Sequence, residues 1–402
     1  MQNDFDLIIV GAGLAGNCLA LALKDSGLRI AIVEAASRRE MRESALGDRA
    51  LALAAGSVQL LESLGAWIGI SAKATPIRQI HISDQGHFGK TRLSAAEQGV
   101  DALGHVIVAR DIEEHIAELV TETSASCFYE TRVAGLMSGI DAVNVSLKQQ
   151  GKSLNLSARL LVGADGGQSS VRKLLEIPQQ ITEYGQTALV TTVQGTLPHL
   201  NTAYERFTAF GPLAMLPSSG KQVSVVWTRS HEQADALMAG GEDDFLAELQ
   251  ACFGYRLGAL KLRAPRRVFP LSLIRAENMV SGRAVIIGNA VHQLHPVAGQ
   301  GFNLGIRDVA SLAEALIEQQ SKHADLGAPE LLSDYTKQRR RDHDITIGFT
   351  DNVVRIFSNN WLPVAAARNA GLTLLDHLPG AKQVLTKHAM GLAGRVPKIG
   401  GG

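Results

Sequence analysis

Cysteine is scarce in this 402-residue chain: Cys18, Cys127 and Cys252 lie far apart and form no CxxC pair. That pattern excludes a disulfide framework and a zinc ribbon, and it suits a reducing compartment. A charge excess is missing as well. Lys and Arg total 39, as do Asp and Glu, so no overall field draws the chain to nucleic acid. No apolar run approaches the roughly 20 residues that span a bilayer. No basic segment with a cleavage site precedes the first apolar run, and the expected location is cytoplasmic. The GxSxG turn of serine hydrolases, clustered His/Cys metal ligands, internal repeats and low-complexity segments are all absent.

What is present begins at the N-terminus. Phe5 to Val10 (FDLIIV) is a β-rich apolar run, GAGLAG follows, and an amphipathic stretch carries Leu14, Leu19, Ala22 and Leu23 on one face. A second apolar run, Leu28 to Val33, ends at Glu34. This is a β-α-β unit. Gly11, Gly13 and Gly16 supply a tight turn, close backbone approach to a pyrophosphate and close helix–strand packing, with the helix N-terminus facing the phosphates. Glu34 stands where a carboxylate accepts from a ribose 2′-OH. The motif does not separate NAD from FAD. No second GxGxxG exists, so if FAD occupies this fold a nicotinamide donor binds transiently elsewhere.

Two further segments carry punctuation of the same kind. Gly163-Ala-Asp165-Gly-Gly-Gln-Ser-Ser-Val-Arg172 ends an apolar strand in a turn and opens a helix. Ala284 to Ile287 is an apolar strand that ends at Gly288-Asn289, and Pro296 stiffens the loop before Gly299-Gln300-Gly301. Backbone N–H groups at such a helix start favour negative charge. Strand-rich stretches lie between these nucleotide-binding pieces, and everything from Tyr335 onward reads as helical. The expected fold is therefore α/β, a Rossmann-like dinucleotide domain interleaved with a smaller, mostly antiparallel sheet domain, plus a C-terminal helical tail. The expected division gives the first domain 1–76, 100–180 and 272–335, the second 77–99 and 181–271, and the tail 336–402.

The three segments together, GxGxxG, GADGxxSxvR and GNAVHQLHPVAGQGFNLGIRD, resemble the FAD-dependent aromatic hydroxylases of the p-hydroxybenzoate hydroxylase fold. Within that group the chain is similar to the ubiquinone-biosynthesis hydroxylases, on Asp48-Arg49-Ala-Leu-Ala-Leu, Ile80 to Gly86, Glu205 to Pro217, Gly288-Asn289 and Thr346 to Asp351. Asn289 stands where the wider family has Asp beside the flavin's ribityl chain. Asn keeps one acceptor and adds donors, and the exchange is a mark of this subgroup. The resemblance implies FAD on Gly11, Gly13, Gly16, Glu34, Asp165, Asn289, Pro296, Gly299, Gln300, Gly301 and Asn303. It also brings Arg110 to the phosphate region, Arg49 to the ribityl or ring, and the Val133 backbone to adenine. NADH or NADPH would reduce the flavin, O2 would add to it, and the C4a-hydroperoxide would hydroxylate a polyprenylated methoxyphenol. No metal is implied.

Some residues stay open between two readings. His292 and His295 are either a base for the phenol or loop histidines satisfied by backbone. Phe207, Phe210, Leu213 and Met215 either line an apolar substrate pocket or form ordinary sheet core. Ile347, Thr350, Val354, Phe357 and Trp361 recur at helical spacing, followed by Leu372, Leu375 and Leu378. These either pack on the catalytic domains or meet a membrane surface or other proteins of the pathway. Ten Lys/Arg against four acids in residues 336–402, a balance of +6 against −6 for the rest, favour the second.

Overall fold

A computed structural model of the chain describes residues 3–357 and 362–392. Trp361, Arg395 and Lys398 lie outside the described residues. Phe5–Val10 is the central strand of the first sheet, parallel to Ile30–Val33 on one side and to Lys152–Gly163 on the other. Ser126–Phe128 and Ala284–Ile286 extend the parallel set outward. The central run is continuously apolar because both faces are covered. Leu7 and Ile9 pack beneath the Leu14–Ala22 and Gln300–Ser321 helices, and Ile8 and Val10 pack against Val145, Leu161 and Val171. Thr131–Ser138 and Val143–Gln149 add an antiparallel flap on Lys152–Gly163.

The second sheet has nine strands, paired antiparallel except where Thr202–Thr208 runs parallel to Gln79–Asp84. Its outer face buries Leu213, Met215, Val225 and Trp227 against Phe245, Leu249 and Phe253 of the Glu242–Phe253 helix. Its inner face looks toward the first sheet. Ala50–Ala54, Gly104–Val108 and Thr75–Ile77 form a small third sheet in between. Two of the expected changes of domain fall inside unbroken strands. Residue 180/181 lies within Gln179–Gly195, and 271/272 within Arg267–Ala276. These two strands pair from Gln179 opposite Ala276 to Val190 opposite Arg267 and carry the chain in and out of the second sheet as one ribbon.

The tail packs on the body over much of its course. In the long helix Pro329–Phe357, Ile347, Thr350 and Val354 are buried, and Phe357 stacks on Phe207 with ring centroids 3.7 Å apart. The Leu362–His377 helix is pinned through Arg368 and Asn369, which both donate to buried Asp84. After Pro379–Ala389, Met390 inserts among Leu93, Ala95 and Leu103, and its carbonyl accepts from the Gly56 N–H at 2.9 Å. The packed alternative therefore describes the first stripe of the tail. No helix among the described residues is long and apolar enough to cross a membrane.

Candidate cofactor and substrate site

The glycine turn divides its labour. An added Cβ on Gly16 would lie 1.9 Å from the Gly11 carbonyl, and one on Gly11 would lie 2.5 Å from the Ala164 carbonyl. Gly11 also has φ +106°, a backbone that L side chains rarely adopt. A Cβ on Gly13, by contrast, would meet nothing within 4 Å. Gly13 is the N-cap of the Leu14–Ala22 helix, which has no side-chain cap and no acid in its first turn. Its free N–H groups therefore face open space, as a phosphate site requires. Glu34 closes the turn: its carboxylate accepts from the Ala12 and Ala36 N–H groups, both at 2.8 Å.

The third segment repeats this design. Gly299, at φ +60°, is the N-cap of Gln300–Ser321, again without a side-chain cap or a first-turn acid, and Gly301 faces open space. Asn303 fixes this helix start. Its Oδ1 accepts from the Ala54 N–H and the Ser57 hydroxyl, and its Nδ2 donates to the Ala52 and Gly299 carbonyls. All four positions of the amide are used within the protein, so Asn303 holds the loop and does not offer its side chain to a ligand. Asp165 is similarly committed. It accepts from Ser169 Oγ and from the Ser170 and Val171 N–H groups, capping Ser170–Leu174.

Beneath the loop lies a buried charged cluster that gave no sign of its role in sequence. Asp308 accepts from the Gly288 N–H at 3.1 Å, Arg339 Nε at 2.7 Å and His343 Nε2 at 2.7 Å, with His292 Nε2 at 3.3 Å. Burial pushes its carboxyl up, but the charges of His343 and Arg339 and the two histidine hydrogen bonds outweigh this and hold it well below the usual range. His292, Asp308 and His343 also have the spacing of a metal site. The Arg339 guanidinium on the same carboxylate supplies the positive charge instead.

Gly11, Gly13, Glu34, Arg49, Val133, Asp165, Asn289, Pro296, Gly299, Gln300, Gly301 and Asn303 all line one cavity of about 1830 Å³. Two expected residues stand outside this wall. Gly16 is enclosed by the turn. Arg110 donates to Asp48 at 2.6 Å and to the Ser44 carbonyl at 3.0 Å, and Asp48 in turn accepts from Arg267. Arg110 thus braces the loop Ala45–Asp48 against the second sheet. The cavity offers what a bulky dinucleotide with a flavin needs: an acid at the end of the second strand, two uncapped helix starts and a glycine cradle between them.

From the glycine turn the cavity runs on to the inner face of the second sheet, and here the expected substrate residues are corrected. Met215 is fully buried in the outer core, and so is Leu213. Side chains alternate along Gly211–Pro217, so Ala214 and Leu216 line the cavity instead. Phe207 is on the inner face but lies under Phe357. Phe210, in the turn between strands, is 44% exposed. The wall consists of Ile80, Ile82, Ala203, Leu216, Val226 and Leu271 with one ionisable side chain among them, Glu205. Glu205 lay within a stretch already marked by the resemblance, but nothing in one sequence told which side of the strand it faced.

The two histidines also separate. His292 is fully buried in the Asp308 cluster and is absent from the cavity wall. His295 lines the cavity, and its Nδ1 accepts from the Val297 N–H at 3.2 Å. The ring proton of the neutral form must therefore sit on Nε2. Burial pulls this imidazole down to about 4. His295 presents a donor and no basic nitrogen to the cavity.

Fold and cavity together define a flavoprotein oxidoreductase. The family described as "FAD binding domain" matches residues 4–346, and the chain belongs to it. It is an FAD-dependent monooxygenase. Ubiquinone hydroxylase UbiL of Rhodospirillum rubrum is 36% identical over 388 residues, 96% of this chain and 89% of that protein. The 3-demethoxyubiquinol 3-hydroxylase of Escherichia coli is 29% identical over 96% of this chain and 98% of its own length. Among solved structures, p-nitrophenol 4-monooxygenase PnpA from Pseudomonas putida superimposes with a TM-score of 0.80 at 18% identity, covering 98% of this chain and all of the other. That last likeness concerns the fold.

Proposed function

We propose that the protein hydroxylates the aromatic ring of a polyprenylated methoxyphenol in ubiquinone biosynthesis, using O2 and NADH or NADPH. The observation that carries this reading is the continuity of the cavity, which joins the glycine turn to a long apolar wall with room for a ring and a prenyl tail. FAD, when bound, would pass electrons from the nicotinamide to O2 and supply the activated oxygen. The chain's residues do the rest. Gly13 and the Leu14–Ala22 helix start would receive the pyrophosphate, Glu34 a ribose, and the Val133 backbone the adenine. Asn289 and Arg49 would flank the ribityl chain and ring. Gln300 and Gly301, at the start of the helix that Gly299 caps, would turn backbone N–H groups toward the flavin's pyrimidine edge, where negative charge develops on reduction. The apolar sheet excludes water and places the ring.

The test is NAD(P)H-coupled oxygen uptake by the FAD-loaded protein with 2-prenyl-6-methoxyphenol. Hydroxylated product formed in step with nicotinamide oxidation supports the reading. Reduction of FAD without product, under every prenylated phenol tried, replaces it with a reductase. Flavin that no nicotinamide reduces leaves a non-catalytic scaffold.

A membrane-borne substrate also implies a surface to meet it. We infer a peripheral contact with the bilayer, or with neighbouring pathway proteins, through the outer side of the last two helices. Leu374 and Val384 are 58% and 63% exposed there, beside the exposed Lys387. Flotation with anionic liposomes, lost on Leu374→Glu with Val384→Glu in a protein that keeps its FAD, checks this.

A further inference from the structure

A carboxyl group in an apolar wall needs a reason. Glu205 lies on Thr202–Thr208, between Ala214 on one neighbouring strand and Ile82 on the other. Ala203 shares its face, while Tyr204 and Arg206 point to the other side, toward Phe253 and the Cys252 carbonyl. Its Oε1 is shut off from solvent and has no hydrogen-bond partner. No described residue forms an ion pair or hydrogen bond with the carboxyl. An unpartnered buried polar group is costly, and the fold gains nothing visible from it.

The charged groups nearby are otherwise engaged. Asp84, further along the same face of the sheet, is held by Arg368 at 2.7 Å. His81, on the neighbouring strand, turns toward Tyr204 on the outer face. From the long helix, Asp342 pairs with Arg307 and Arg339. Elsewhere on the cavity wall stand Arg49, Glu113, Asp334, Lys337, Arg341, His295 and His388, none of them bonded to Glu205. His295 is fixed as a donor. Among the described residues on the inner face of the sheet, Glu205 is therefore the ionisable group left without a partner, Asp84 being held by Arg368, and the partner that can reach it is a molecule in the cavity.

We propose that Glu205 holds the ring hydroxyl of the phenolic substrate and takes its proton as the ring is oxygenated. The proposal rests on the phenol reading above. In the step, the phenol O–H bond breaks and the proton passes to a carboxylate oxygen of Glu205. The electron pair left on the phenol oxygen is shared into the ring, which becomes the stronger nucleophile toward an electrophilic oxygen. The proton later leaves to water through the open end of the cavity. Burial pushes the Glu205 carboxyl up to about 8. The resting group is thus neutral at pH 7, and the fraction able to accept a proton grows as pH rises through that value.

The experiment uses the FAD-loaded full chain, its Glu205→Gln and Glu205→Ala variants, and 2-methoxyphenol bearing one prenyl unit. Without phenol, infrared difference spectra of the wild type should show a protonated carboxyl band that disappears near pH 8 and is missing in Glu205→Gln. Adding the phenol should shift or remove that band. Glu205→Gln should keep its FAD and bind the phenol within about threefold, yet lose product per NAD(P)H by on the order of 10²-fold, together with the alkaline rise of the pH profile. Retention of both product yield and pH profile in Glu205→Gln overturns the proposal. If the wild type oxygenates no phenol, the hydroxylase reading fails separately, and the infrared band decides for Glu205. A band that ignores bound phenol overturns the proposal, and one that responds supports carboxyl–phenol contact.

Discussion

The two halves of the cavity wall are built on opposite principles. Around the glycine turn and the Gly299 loop, the polar side chains are committed to the protein: Glu34, Asp165, Asn303 and Asp308 each bond at both ends of the group. Backbone N–H groups and open glycines make up most of what is left for a ligand, with Asn289 and Arg49 at the edge and the remaining acceptor capacity of Glu34. On the sheet side the wall is apolar, and its one carboxyl has no partner in the protein. A resident cofactor is met by a rigid, finished cradle. Under the proposed function, a substrate that comes and goes would be met by a surface that is completed only when it binds.

The sharpest test of the rigid half is Asp308. Asp308→Ala removes the acceptor shared by Arg339, His343 and the Gly288 N–H, and leaves the buried guanidinium with Asp342 as its remaining carboxylate. Breaking one partner of such a cluster costs about 3–5 kcal/mol. Urea unfolding should report that loss, and the purified variant should retain much less FAD than the wild type. A variant within 1 kcal/mol of the wild type and still loaded would show that the loop is held by other means.

Next comes the alternation on Gly211–Pro217. Met215→Ala should destabilise by about 2–4 kcal/mol, because it leaves a hole in the outer core, while KM for a prenylated phenol stays unchanged. Leu216→Ala, one residue on, should do the reverse: a small stability change and a raised KM. Equal effects from both would break the assignment of inner and outer faces.

The unfinished half makes a prediction about pH. Since folding raises the Glu205 carboxyl from its ordinary range to about 8, the folded state binds more protons than the unfolded one between those values. Stability contributed by this group is therefore full below the unfolded value and falls as pH climbs toward 8. Glu205→Gln removes the penalty. The gain is set at roughly 1–3 kcal/mol at pH 8 and above, vanishing near pH 4. Thermal unfolding across that range gives the answer, and a variant destabilised equally at every pH would contradict it.

What could be read from the sequence follows the same divide. The turn of Gly11, Gly13 and Gly16 closed by Glu34 was legible because a tight strand-to-helix turn permits few other residues at Gly11 and Gly16, and the constraint is local. Asn303 was also visible as a motif member, but its work as a brace emerges only from partners as distant in sequence as Ala52 and Ser57, whereas Asp165 braces the neighbouring Ser169, Ser170 and Val171. Arg110 was expected at phosphate and instead pairs with Asp48. The sheet side was harder. The strands from Thr202 to Pro217 could be anticipated, but apolar residues occur on both of their faces, so periodicity alone did not say which face looked inward. Phase, decided by the Glu242–Phe253 helix on the far side, moved the wall from Met215 to Leu216 and brought Glu205 into it.

The smallest expected effect tests the same phase from outside. Phe210 was a candidate for the pocket, yet it occupies the turn between Thr202–Thr208 and Gly211–Pro217, 44% exposed, with the Arg229 guanidinium 5.5 Å from its ring centroid. That contact is a partly solvated cation–π pair, worth about 0.5–1 kcal/mol, and Arg229 has a second and closer ring in Trp227 at 4.2 Å. Phe210→Ala should therefore change stability by no more than about 0.5 kcal/mol. KM and product yield with a prenylated phenol should match the wild type, as measured side by side with Leu216→Ala. If Phe210→Ala raised KM as Leu216→Ala is expected to, the substrate would have to enter past this turn, and the apolar wall would extend beyond the sheet's inner face.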